Sequence, residues 1–301
     1  MNYFTLLKTT YQEWTRDRVP VLASSLAFYT SFSLAPLLLV LVGLTGIFYG
    51  DAVARSQLVA QMSRELGPDI AQFLQDVLKN ADNPEQGIVS SIVGVVTLII
   101  GATSVFVQLQ NALNQVWNIR VSGGFRHMLM KRLMSFGVVM TLGFLLLVSL
   151  VVTSLVSSID SYLVERLPGG HYLVVLITWS IAFVISAMLF AIMFKYMPDA
   201  TIAWRDVIVG ALVTALLFNV GRLVLGLYLG NVGMATSYGA AGSFVVILLW
   251  VYYSTQIVMF GAEFTQVWAR ARGRRIEAEA GAEIVLDAER HDSGAETVRP
   301  T

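Results

Sequence analysis

VIVGALVTALLFNVGRLVLGLYLGNVGMATSYGAAGSFVVILLWVYYSTQIVMFGA, residues 207 to 262, contains a single charged side chain, Arg222. A helix crossing the hydrocarbon core of a bilayer needs about 20 apolar residues, so this run is too long for one crossing and long enough for two. The break falls at Asn231 to Ser243, where Gly, Ser, Thr and Asn cluster as turn formers. Reading outward, Val21 to Gly50, Gly87 to Ile119, Leu133 to Ile159 and Tyr172 to Phe194 are likewise free of Asp, Glu, Lys, Arg and His. The expected fold is therefore all-α: a polytopic membrane protein with six transmembrane helices, at about 28–49, 88–110, 133–157, 172–195, 207–229 and 242–267.

Composition points the same way. Hydrophobic residues make up 56% of the 301 and charged residues 13%, against roughly 25% charged in a soluble domain. Mean hydropathy is +0.68 over the whole length, so one signal peptide or anchor does not account for it. Formal net charge is zero, which gives no basic field to attract nucleic acid. The absence of cysteine removes disulfides, thiolate metal sites and cysteine nucleophiles together.

Orientation follows from Lys and Arg in the loops, since cationic loops beside a span stay in the cytoplasm. Alternate loops on one side hold Lys8, Arg16, Arg18, Arg120, Arg126, Lys131, Arg132, Lys195, Arg205, Arg270, Arg272, Arg274 and Arg275; the other side holds Arg55, Arg64, Lys79 and Arg166. Trp14, Trp117, Trp204 and Trp268 fall at the cationic interface, as an aromatic belt would. Both signals predict cytoplasmic termini. The expected domains are a cytoplasmic N-terminal segment at 1–27, the six-helix transmembrane domain at 28–267, and a cytoplasmic, largely disordered tail at 268–301, which is charged and poor in aromatics. Within the outer loop at 51–86, apolar residues spaced by three and four predict two short amphipathic helices divided at Gly67-Pro68. Its acidic balance suits a cap on the bundle better than a lipid-binding surface.

Four stretches carry a family likeness: ASSLAFYTSFSLAPLLL from Ala23, GATSVFVQLQNALNQVWNI from Gly101, YMPDATIAWRDVIVGALVTALLF from Tyr196, and SYGAAGSFVVILLWVYYSTQIVMFGAEFTQVWA from Ser237. On these the chain resembles the YihY/BrkB family over about residues 10 to 272. The resemblance implies a six-span protein of the bacterial inner membrane. Members have been labelled ribonuclease or virulence factor, and some are implicated in the handling of envelope lipids. It supplies no catalytic residue.

The residues themselves argue against enzyme chemistry. RNA cleavage would need a metal cluster or an acid/base pair beside a basic track. The three histidines, His127, His171 and His291, sit in separate loops or tails with no ligand spacing. No aspartate or histidine lies in the expected spans, and no phosphate-binding glycine loop is present. The expectation is a non-enzyme without cofactor or metal.

Polar residues at membrane depth remain, since their burial is costly and they usually face a bundle interior. Gln108, Asn111 and Gln115 share one face of the second span at its cytoplasmic end, where interfacial water is the competing explanation. Asn219 and Arg222 share a face of the fifth. Arg222 lies about 24 Å along the helix from Asp206, so snorkelling to the outer headgroups competes with pairing inside the bundle. Tyr252, Gln256 and Glu263 share a face of the sixth span. Glu263 is expected about one turn inside the interface, within reach of solvent or Arg270. The Gly46/Gly50 and Gly226/Gly230 pairs have the spacing that lets helices approach closely, and Pro36 can kink the first span. These eight polar residues are the candidate cavity lining. The leading expectation is transport or translocation of a lipid-like or amphipathic envelope substrate through the bilayer; the alternative is a non-transporting scaffold of an envelope-assembly complex. A homo-oligomer is compatible with either, and no nucleic-acid partner is expected.

Overall fold

The computed structural model describes residues 2–31, scattered positions between 55 and 75, and 104–121, 170–232, 240–274, 276–279 and 281–285. The expected third span, most of the first two, nearly all of the outer loop, and residues 286–301 lie outside the described residues. Six helices carry the described fold: α1 (Tyr3–Arg16), α2 (Val19–Ser31), α3 (residues 104–116), α4 (Gly170–Tyr196), α5 (Trp204–Val232) and α6 (Ala240–Ala271).

Three of them contain segments long and apolar enough to cross a membrane: Val175–Tyr196, Trp204–Leu227 and Phe244–Ala271. At 1.5 Å per residue even the shortest is about 33 Å long, which exceeds a hydrocarbon core of about 30 Å. Their outward faces show why the sequence is so apolar. Leu176, Val184 and Met188 on α4, and Leu216, Val220 and Val224 on α5, are exposed to whatever surrounds the bundle, a surface that hydrocarbon tolerates and water does not.

α5 packs between α4 and α6. Two devices hold the three together. The first is aromatic: Phe218 of α5 meets Phe190 of α4 edge-on at 5.4 Å and Trp250 of α6 at 6.1 Å. The second is a reciprocal close approach. A methyl group added at Gly210 of α5 would overlap the Thr265 side chain of α6, and one added at Gly261 of α6 would overlap Thr214 of α5. Each threonine hydroxyl donates to the carbonyl of the glycine four residues before it, both at 2.7 Å, so no polar group is stranded. The Gly226 position, by contrast, has nothing within 4 Å of a notional side chain. Close packing between these antiparallel helices runs through the Gly-x-x-x-Thr pairs.

The tightest core lies at one end of the bundle. Val19 at the start of α2, Leu113, Val116 and Trp117 at the end of α3, Phe194 at the end of α4, Val207 at the start of α5 and Met259 of α6 form one buried cluster. Trp14 of α1 packs against it.

The same end carries four short strands, the exception to helix among the described residues. β1 (Ile119–Val121) pairs antiparallel with β4 (Ala282–Ile284), and β2 (Ala200–Thr201) with β3 (Glu277–Ala278). The segment after α6, expected to be largely disordered, thus folds back over residues 276–279 and 281–285. Two glycines with positive φ, Gly273 at 70° and Gly281 at 89°, make the turns that side chains disfavour. Backbone groups, unlike side chains, give no hydropathy signal, and the pairing satisfies loop N–H and C=O groups that would otherwise stay unpaired.

Candidate functional site

Two polar clusters form beside this core. The first centres on Asp199, in the connection between α4 and α5. Gln110 and Asn114, four residues apart on α3, both donate side-chain amides to Asp199 Oδ2, at 2.9 and 2.7 Å. The Asp199 backbone N–H donates in return to Asn114 Oδ1 at 2.8 Å. All three residues are buried. Charge-assisted bonds in a water-poor setting are strong and direction-specific, so this cluster fixes the α4–α5 connection onto α3. Lys195 is also spent locally: its ammonium donates to the Ile202 carbonyl at 2.6 Å and lies 5.9 Å from the Trp204 ring centroid.

The second cluster lies between α1 and α6. Leu6, Thr10, Glu13 and Asp17 recur at i, i+4, i+7 and i+11, one stripe of α1 ending at its C-cap. Leu6, Thr10 and Asp17 are buried. On α6, Glu263 is 0% exposed. The Asp17 carboxyl stands in hydrogen-bond contact with it, while the Glu13 carboxylate and the Arg270 guanidinium act on it through space. Arg270 approaches Glu13 at 3.9 Å and Arg16 approaches Glu13 at 3.7 Å. Neither Glu263 oxygen meets a hydrogen-bond donor among the described residues. Gln115 of α3 donates to the Asp17 backbone carbonyl at 3.0 Å.

The sequence candidates separate accordingly. Gln115 and Glu263 come together through Asp17. Asn111 points outward and Gln108 is half-buried; the inward stripe of α3 is the neighbouring one, Gln110 and Asn114. Asn219 is buried and donates to its own helix at Ala215, 2.8 Å, while Arg222, Tyr252 and Gln256 are half-buried. Glu263 is sealed from solvent, and Arg270 approaches Glu13. Sequence reading missed Gln110, Asn114, Asp17 and Asp199. Asp199 had a legible signal, an acidic residue directly after Pro198 in a short connection between two spans. Among the described residues no group of acidic or histidine side chains is arranged to hold a metal ion.

Comparison with known proteins gives a consistent family. The family model described as virulence factor BrkB matches residues 10–283. A UPF0761 membrane protein of Methylibium petroleiphilum is 30% identical over 85% of this chain and 60% of its own length. One from Ralstonia nicotianae is 28% identical over 82% of this chain and 54% of its own length, and one from Alteromonas mediterranea 27% identical over 83% and 82%. The chain spans little more than half the length of several of these relatives. No solved structure matches. With a family match over most of its length and helices apolar enough to cross a bilayer, the chain belongs to the virulence factor BrkB family, the YihY/BrkB family of integral membrane proteins.

Proposed function

We propose that this protein translocates an amphipathic, lipid-like substrate across the bacterial inner membrane, using six spans with both termini in the cytoplasm and no enzymatic step. The observation that supports the reading is Glu263. A fully buried carboxyl inside a spanning helix, met among the described residues only by a second carboxyl, that of Asp17, costs roughly several kcal/mol if it is to carry charge. A scaffold has no use for that cost; a pathway that binds and releases a charged or polar group does. Gln256 and Tyr252 continue the Glu263 face toward the middle of the helix, and both are half-buried. They are the groups expected to meet the polar end of a substrate whose apolar part stays against the helices.

Reconstitution in liposomes carrying a fluorescent phospholipid tests this directly. The intact chain is expected to speed exchange between leaflets, read by chemical quenching from outside, and Glu263→Gln to slow it about tenfold, the equivalent of about 1.4 kcal/mol. Exchange no faster than in protein-free liposomes would remove the transport reading. The scaffold alternative draws on the folded-back residues 276–279 and 281–285, which present a surface beside β1 and the α4–α5 connection.

A further inference from the structure

Asp17 and Glu263 lie 246 positions apart in the chain (263 less 17) and meet inside the bundle, where α1 packs on α6. Both are buried. Ionised carboxylates are acceptors only, so two of them cannot hydrogen-bond; their contact requires a proton between them. Among the described residues no other donor reaches Glu263. The charged and polar groups facing the pair do not replace that proton. Glu13, on the same stripe of α1, adds negative charge, and Arg270 divides its field between Glu13 and Glu263. The Gln115 amide reaches the Asp17 main chain. Asp17 is also the C-cap of α1, where the helix dipole adds further negative potential.

We propose that Asp17 and Glu263 form a proton-binding site joining α1 to α6. One proton, taken from water, is held between the two carboxyl oxygens while α1 is seated. On release the O–H bond breaks, the proton returns to water, and two facing carboxylates are left, which push α1 away from α6. The proposal rests on the translocator reading in one respect: the proton is the ion whose movement the site couples to the substrate.

Two measurements on the full chain in lipid nanodiscs test it. Infrared difference spectra between about pH 5 and pH 9, a range in which ordinary carboxyls stay ionised, are expected to show a protonated-carboxyl C=O band that disappears in both Glu263→Gln and Asp17→Asn. In parallel, a single cysteine at exposed Tyr11 of α1, in a chain with no native cysteine, carries a spin label that reads whether α1 is seated. Raising the pH is expected to increase the mobile fraction about tenfold, the effect of one pKa unit of coupling. In Glu263→Gln the label stays immobile at every pH, because the amide can donate to Asp17. Absence of the band, or its presence unchanged in the two variants, overturns the proposal; so does displacement of the band by sodium at constant pH, which would make the ligand a metal cation. If the band behaves as expected while lipid exchange in liposomes matches protein-free controls, the proton site stands and the translocator reading falls.

Discussion

Gly210 and Gly261 each lie beneath a threonine of the neighbouring helix, so the smallest enlargement there has a large effect. Gly210→Ala or Gly261→Ala pushes a methyl group into Thr265 or Thr214, and overpacking of this kind costs roughly 1–3 kcal/mol. Gly226→Ala meets open space and gains up to about 1 kcal/mol of helix propensity. Unfolding in mixed micelles with rising dodecyl sulfate is expected to rank the first two below the intact chain and the third level with or above it. Asn114→Ala strips two bonds from Asp199 and leaves a buried carboxylate underserved; the same assay is expected to show a loss of roughly 1–3 kcal/mol for each group left unsatisfied. The residue scale is also where sequence reading ran out. Periodicity puts Gln108, Asn111 and Gln115 on one stripe of α3 and Gln110 and Asn114 on the next, but it does not say which stripe faces inward. That depends on Asp199, 85 residues beyond Asn114 in a connection with no periodicity of its own.

At the scale of elements, long apolar helices were legible because hydropathy encodes them directly. The expected spans at 172–195, 207–229 and 242–267 fall within α4, α5 and α6. The segment after α6 was not legible. Glu277, Glu279 and Glu283 give it the composition of a solvated tail, while its order comes from main-chain pairing and from Arg274, whose guanidinium meets Asp206 at 2.7 Å. Asp206 is 1% exposed and Arg274 33%, so the ion pair is screened on one side only. Arg274→Ala is expected to lower stability by about 1 kcal/mol, and to loosen β3 and β4 more than the helices. Hydrogen exchange reads that difference. The Glu279 and Val285 amides, bonded to the Asp199 and Asn118 carbonyls at 3.0 and 2.8 Å, are expected to be protected in the intact chain and to exchange about fivefold faster in the variant, the factor that matches about 1 kcal/mol of local opening.

For the whole molecule, topology is the property on which the transport reading depends. Because the chain lacks cysteine, single cysteines replacing Ser56, Ser161 and Ser122 are reporters without background. The charge bias of the loops predicts that an impermeant thiol reagent labels the first two in intact cells and the third only after lysis. Labelling of Ser122 from outside would reverse the orientation, and with it the side from which Asp17 and Glu263 take their proton. Of the four tryptophans of the expected belt, Trp117 is instead buried in the core and Trp14 packs against it, while Trp204 meets Tyr196 edge-on and Trp268 lies under Arg272 just before α6 ends.

The strand pairing at that end also sets an order of assembly. β1 leaves the ribosome well before β4, its partner, since Arg120 pairs with Glu283, 163 positions later. All the helices described here are made in the interval or before it, so they insert into the bilayer with that end still open. Closure waits for residues 277–284, a long-range contact that forms slowly because the intervening chain must be organised first. A chain arrested before Glu277 would then be inserted yet unlatched, with Asn118 and Asp199 exposing carbonyls that quality-control proteases can find, whereas one arrested after Val285 would already be shut.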